Sequence, residues 1–526
     1  MAGRTVLEVR GLSVAFGQQP PVTHGVDLTL KAGQITALVG ESGSGKSVTS
    51  SAIMGLLPAG GRVVEGSVRE GGADWLQTGA PLGRGLSMVF QDPMSSLNPS
   101  MRVADQVAES LIVHGGLDRR SAWKEAVALL EAVELPDPER SARKYPHELS
   151  GGQKQRVMLA LALACKPRVL IADEPTTALD VTVQRSILDL LRRLQAEHDL
   201  AVLFITHDLA VVADIAHDVV VLRNGEVVET GAVRDVFGRP AHPYTRSLLA
   251  AHRRQVRHEH AATGPVLIEL EGVVKEFVTE RDLLGRPKAT FQALRGIDLE
   301  VMRGERLGVV GESGSGKSTL GRAMLGLMPI EAGRIAFDGE PVDAADREAM
   351  ARLRKRGQFV FQDPYAALNP RMRVGAALRE VLQVHGRPVA EVERLLAEVG
   401  LEDDVAGRLP GGLSGGQRAR VVIARALAVD PEFLVLDESV AALDTAIREA
   451  VLQLLDRLAR ERGLTYVFIS HDLEVVAAFC DRIAVMHKGR IVELGKAQRV
   501  MTEPEDAYTQ RLLASQPGQK LHQHFE

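Results

Sequence analysis

Two kinds of hydrophobic pattern alternate along this chain. Residues 34–39, 169–172 and 202–205 are short, mainly apolar runs, partly of β-branched side chains. Runs of that length, ending at glycine or polar residues, suit strands buried on both faces. The stretch from Ser47 through Met54 and residues 183–193 pattern instead as helices. Strands that alternate with helices predict a parallel sheet with crossover helices, an α/β class. Val219-Val220-Val221-Leu222-Arg223, then Asn224-Gly225, then Glu226-Val227-Val228 predict a hairpin closed by a type I′ turn. Residues from about 95 to 160 carry helix-like patterning throughout and are expected as a helical subdomain inserted into the α/β core.

The whole layout then recurs. Gly-Glu-Ser-Gly-Ser-Gly-Lys-Ser at 40–47 returns unchanged at 311–318, 271 positions on. Phe-Gln-Asp-Pro at 90–93 returns at 361–364 with the same offset. Leu-Ser-Gly-Gly-Gln at 149–153 returns at 413–417, now 264 on, as do Asp173-Glu174, Ala178-Leu179-Asp180 and His207-Asp208. One seven-residue length difference explains every offset, so the chain carries a duplicated domain. The expected organisation is a first domain over 1–251, a polar linker with a Gly-Pro breaker over 252–266, and a second domain over 267–526.

Composition narrows the options. Of the 526 residues, 45% are hydrophobic and 25% charged, as in an ordinary globular protein. A net charge of −5, without a block of one sign, and only 4% aromatics speak against a nucleic-acid partner. Cys165 and Cys480 are too few and too distant for a disulfide framework or a zinc site, and are expected as buried small hydrophobes. Residues 1–4 lead into a strand-like run without the apolar core of a signal peptide. No run of about 18 apolar residues is present to span a bilayer, so a membrane role would need separate membrane subunits. His258-Glu259-His260 and His522-Gln523-His524 read as solvated polar segments.

The repeated octapeptide follows a strand and opens a helix, which is the setting of a phosphate-binding loop. Gly40, Gly43 and Gly45 let the backbone approach an anion, and Ser42 lies within the same loop. The helix N-terminus adds a favourable dipole. Lys46 is placed for the β- and γ-phosphates of ATP, and the Ser47 hydroxyl for Mg²⁺. Gly311, Ser313, Gly314, Gly316, Lys317 and Ser318 repeat these roles. Asp173 and Glu174 end a buried strand, where α/β folds gather ligand chemistry. The first carboxylate suits the Mg²⁺ shell and the second a general base for an attacking water; Asp437 and Glu438 match them.

Together these motifs resemble the ATP-binding cassette (ABC) family over nearly the whole chain. The segment 149–153 is similar to its signature motif, a serine and two glycines opening a helix as a second anion cradle. The resemblance implies that Ser414 and Gly416 close over ATP held at Lys46, while Ser150 and Gly152 close over ATP held at Lys317. It also implies Q-loop roles for Gln91 and Gln362, which touch Mg²⁺ and water and relay the state of the site. His207 and His471 resemble the switch histidine at the γ-phosphate, and Asp180 and Asp444 the D-loop aspartate. Phe16 and Phe277 sit where the family places an aromatic against adenine, although a phenylalanine in a first strand serves equally as core. The implied fold is two tandem P-loop NTPase domains, each a RecA-like α/β core with an inserted helical subdomain and an antiparallel β subdomain.

Residues 90–99 and His242-Pro243-Tyr244-Thr245-Arg246 are similar to the extended Q-loop and C-terminal motif of oligopeptide, dipeptide and nickel importer ATPases. That likeness implies an ATPase on the cytoplasmic side of the membrane, two permease subunits, and an extracytoplasmic solute-binding protein. Tandem cassettes of translation factors carry a long charged helical linker, and DNA-repair cassettes carry zinc cysteines; neither feature is present. Exporter ATPases are more often fused to membrane helices. The second half departs from the family pattern at Ser439, at Pro410-Gly411-Gly412 and at Asp506-Ala507-Tyr508, none of which removes a catalytic side chain. Two competent sites are therefore expected.

Overall fold

The computed structural model describes residues 3–41, 43–176, 179–253, 264–281, 287–343, 345–363, 366–440, 443 and 445–518. These fall into two compact units, one drawn from Met1–Arg253 and Gln516–Glu526, the other from Arg254–Ser515. The join differs from the linker expected over 252–266. The helix Pro243–Arg253 covers its first two residues and the strand Val266–Arg281 begins on its last. The end of the second domain differs too, because residues from Gln516 group with the first unit; there Gly518 N–H donates to the Asp214 carboxylate at 3.1 Å. Both His-X-His segments lie outside the described residues.

The first unit is built on a six-stranded sheet. Its order is Glu226–Ala232, Asp218–Arg223, Ile35–Val39, Ala201–Ile205, Val169–Asp173 and Leu86–Val89. All neighbours are parallel except the edge hairpin. The three central strands are buried along their whole length, as mainly apolar runs require. At the hairpin, Asn224 (φ 49°) and Gly225 (φ 81°) both adopt the left-handed region, which is the predicted type I′ turn. A second, antiparallel sheet orders Thr23–Lys31, Thr5–Phe16, Gly61–Glu70 and Ala73–Asp74. Between the strands Leu86–Val89 and Val169–Asp173 lies the helical insertion, chiefly Val103–Val113, Arg119–Ala132 and Gly151–Leu163. Ala122, Ala126 and Leu130 line the buried face of its middle helix. Both cysteines sit at helix ends: Cys165 is half-buried after Gly151–Leu163, and Cys480 is buried at the end of Leu473–Phe479.

The second unit repeats both sheets in the same order. One difference lies at its centre. Where Ile35 opens the central strand of the first unit, Arg306 opens that of the second, with 1% of its surface exposed. Its guanidinium lies 2.7 Å from Asp456, itself buried and also paired with Arg460, and 5.1 Å from the Phe479 ring centre. Removing the carboxylate strands a buried charge. Asp456→Leu is expected to destabilise the second unit by about 3 kcal/mol, and Arg306→Ile added to it to restore most of the loss. Urea unfolding of both variants checks this; equal stability of Asp456→Leu and the parent would refute it.

Candidate active sites

Each phosphate-binding loop is shaped around its lysine. Lys46 is 7% exposed, and its ammonium donates to Gly40 O at 2.7 Å and Glu41 O at 2.9 Å. Lys317 does the same with Gly311 O and Glu312 O, at 2.7 and 2.8 Å. Only glycine fits the curled loop at two points. A Cβ on Gly40 would lie 2.2 Å from Leu222 O, and Gly45 caps the following helix at φ 103°. Ser42 lies outside the described residues, as does Asp444.

The carboxylates arrive from Val169–Asp173, which Ala201–Ile205 separates from the strand that feeds the loop. Parallel register pairs Asp173 with Ile205, so Glu174 leaves its strand beside the segment that carries His207. Glu174 and Glu438 both adopt a left-handed backbone, φ 45° and 46°, a conformation costing about 1–2 kcal/mol for a residue with a Cβ. Their N–H groups donate to Ile205 O and Ile469 O, each at 2.9 Å, which fixes the turn. In the first unit Gln91 donates to Glu174 at 2.7 Å, and His207 Nδ1 lies 2.9 Å from its other oxygen. In the second, Gln362 donates to Glu438 at 2.7 Å, while His471 Nδ1 stands off at 3.5 Å. Asp208 and Asp472 cap the helices that follow the histidines, which sets their position. Ser318 donates to Asp437 at 2.8 Å, and the Ser47 hydroxyl lies beside Asp173.

The signature residues are not in these clusters. Ser150 and Ser414 each cap a helix through a capping box with Gln153 or Gln417. Gly152 has a packing reason of its own, since a Cβ there would lie 2.4 Å from Val183. Gly416 stands in the same relation to Ile447. Asp180 caps the helix Val181–Glu197. The aromatic pair is dissimilar. Phe16 is half-buried against the core, while Phe277 is 42% exposed and faces Phe291 across the hairpin.

Two stretches, 23–177 and 294–441, match the family model for ABC transporter, and 228–269 match that for the C-terminal region of oligopeptide/dipeptide transporters. The chain is similar to the glutathione import ATP-binding protein GsiA of Salmonella typhimurium, 42% identical over 559 residues, spanning 98% of this chain and 90% of that protein. The protein of the same description from Pectobacterium atrosepticum is 43% identical over 559 residues, with 98% and 90% covered. That of Escherichia coli O157:H7 is 42% identical over 557 residues, with 97% and 89% covered.

The chain belongs to the ABC transporter family. It is an ATP-binding, ATP-hydrolysing member, with two cassettes fused in one polypeptide. Most of the cluster in each cassette was visible as sequence motifs. One contact was not: Tyr244 and Tyr508 accept hydrogen bonds from Glu41 and Glu312 in the loops. The quoted His-Pro-Tyr-Thr-Arg motif held that signal without disclosing its partner.

Burial, and next the charge of Glu174, push the Asp173 carboxyl up to about 6, against the Ser47 hydroxyl and the Lys46 charge. Asp437 is raised for the same first reason. Burial alone would raise Glu438, but the His471 bond and charge, Lys317 and Gln362 hold it below its ordinary value. Burial opposes a charged His471, yet Glu438 and Asp472 raise it. The sign for Asp173 is definite. Its folded carboxyl binds the proton more tightly than the ordinary 3.8, so its contribution to stability is whole below 3.8 and lost as pH rises through about 6. Asp173→Asn is therefore expected to stabilise the first cassette without ATP by about 2 kcal/mol at pH 8, a gain that shrinks below pH 6 and vanishes near pH 4. Denaturant unfolding across that range is the measurement, and a gain that does not change with pH would contradict the assignment.

Proposed function

We propose that the chain energises solute import, with ATP bound at both cassettes. The observation that carries this reading is the repeated cluster: a carboxylate held by Gln91 and His207, or by Gln362 and His471, beside a lysine-centred phosphate loop. Lys46 and Lys317 take the terminal phosphates, with Gly40, Gly43, Gly45 and their counterparts presenting N–H groups. Glu174 and Glu438 orient and deprotonate the attacking water, and the glutamine and histidine hold each carboxylate in place.

Magnesium fits the residues. Ser47 and Asp173 offer adjacent oxygen donors, and one Asp173 oxygen is buried with no hydrogen-bond partner among the described residues. When bound, the ion neutralises charge on the transferring phosphate. Ser318 and Asp437 offer the same pair, and Gln91 and Gln362 reach the same carboxylate clusters.

No helix among the described residues is long and apolar enough to cross a membrane. Transport then requires two permease subunits, with the chain at the cytoplasmic face and an extracytoplasmic binding protein delivering solute. The relatives' description as glutathione importers and the oligopeptide/dipeptide match at 228–269 favour a short peptide, of the glutathione or dipeptide class, as cargo.

Glu174→Gln and Glu438→Gln should each remove about half of the ATPase activity, and together lower it about a hundredfold or more. A single change that leaves hydrolysis untouched would show that the cassettes are unequal. Deleting the gene should abolish uptake of labelled glutathione or dipeptides; undiminished uptake of both would reject the cargo assignment.

A further inference from the structure

One contact joins the C-terminal helix of each cassette to its phosphate loop. Tyr244, in the helix Pro243–Arg253, accepts a hydrogen bond from Glu41 N–H at 3.2 Å through its phenol oxygen. Tyr508, in the helix Ala507–Ala514, accepts one from Glu312 N–H at 3.0 Å. Both rings are buried. The peptide unit concerned is the one that joins Gly40 to Glu41. Its carbonyl receives the Lys46 ammonium and its N–H meets the phenol, so the same plane is held at both edges. The Gly311–Glu312 peptide is held likewise, by Lys317 and Tyr508.

The supports behind each tyrosine are rebuilt with different residues. In the first cassette Glu229 accepts from Ala241 and His242 N–H, and His242 Nδ1 accepts from Tyr244 N–H at 3.2 Å. In the second, Glu493 accepts from Glu505 and Asp506 N–H, and Asp506 accepts from Tyr508 N–H at 2.7 Å. The missing His-Pro of the second half is thus replaced by an aspartate that caps the same turn. Behind the rings, Arg223 lies 4.8 Å from the Tyr244 ring centre, whereas His487 lies 3.9 Å from that of Tyr508. His242 and Arg223 give way to Asp506 and His487, and both halves still deliver a phenol oxygen to the same N–H.

We infer that Tyr244 and Tyr508 are positioning residues for ATP: each fixes the first peptide of its phosphate loop and so makes nucleotide affinity depend on the C-terminal region. This rests on the reading that the loops bind ATP. A lysine that turns toward a phosphate gives up part of its hold on the loop carbonyls. The tyrosine acts on the opposite edge and keeps the peptide from rotating, which would aim a carbonyl at the phosphates.

The test uses the full chain with Tyr244→Phe, Tyr508→Phe and the double change, which keep the ring and remove the hydroxyl. A fluorescent ATP analogue reports affinity, with Lys46→Ala and Lys317→Ala together as the control for the functional reading. Affinity should fall about three- to tenfold at each altered site, the worth of one hydrogen bond. KM for ATP should rise in step while kcat is kept, and the unfolding midpoint without ATP should fall by no more than the loss of that one bond explains. Amide exchange should quicken only in the loop of the cassette that lost its hydroxyl. Unchanged affinity in the double variant overturns the inference, as does amide exchange that quickens throughout the cassette rather than in its loop. If the parent fails to bind the analogue, or the double lysine variant binds it equally well, it is the ATP reading that fails.

Discussion

A buried ammonium must find carbonyls, and each cassette satisfies that need from its own loop. Lys46 and Lys317 are 7% and 5% exposed, a burial tolerable for a lysine only with close acceptors. The acceptors are the first two carbonyls of the loop that the lysine ends. Bringing them inward curls the backbone against the neighbouring strand, where a side chain on Gly40 or Gly311 would meet Leu222 O or Met486 O. The central strand sets the loop's origin, the following helix sets the lysine, and the strand Val169–Asp173, two places along, brings Asp173 and Glu174 to the same end of the sheet. Strain at Glu174 is retained because its N–H is tied to Ile205 and its carboxylate to Gln91 and His207.

The sheets, the helical insertion and the Asn224-Gly225 turn were legible because each depends on local periodicity or on a φ preference. The phosphate loop and the two carboxylates were legible because their chemistry forces residue type and spacing, whereas the glutamine and the histidine were expected from the family resemblance alone. Tyr244 was not, because its partner lies 203 positions away and nothing in a tyrosine names the amide it will meet. Gly152 could be read as part of an anion cradle, yet the structure gives it a steric duty against Val183 as well. Helix Pro243–Arg253 overran the expected linker, since polar composition alone does not end a helix already begun.

The halves have diverged in how they meet shared demands. His242 and Asp506 cap the same turn with different acceptors, Arg223 and His487 back the same ring, and Pro175 and Ser439 follow the same strained glutamate. Ser439 keeps a buried hydroxyl without a hydrogen-bond partner among the described residues. The geometry around Glu438 is correspondingly looser, with His471 at 3.5 Å where His207 lies at 2.9 Å.

The pair Arg306–Asp456 has a consequence for assembly during synthesis. Two homologous domains on one chain invite exchange of equivalent strands, a characteristic misfolding route of tandem repeats. The strand Arg306–Val310 inserted into the first cassette would bury a guanidinium where the residue equivalent to Asp456 is Arg192, leaving it without a buried carboxylate. Conversely, Ile35 in the second cassette would leave Asp456 without its buried partner. Either exchange costs several kcal/mol. One interior ion pair thus labels the central strand with the cassette to which it belongs, and so protects a duplicated sequence from folding across its own repeat.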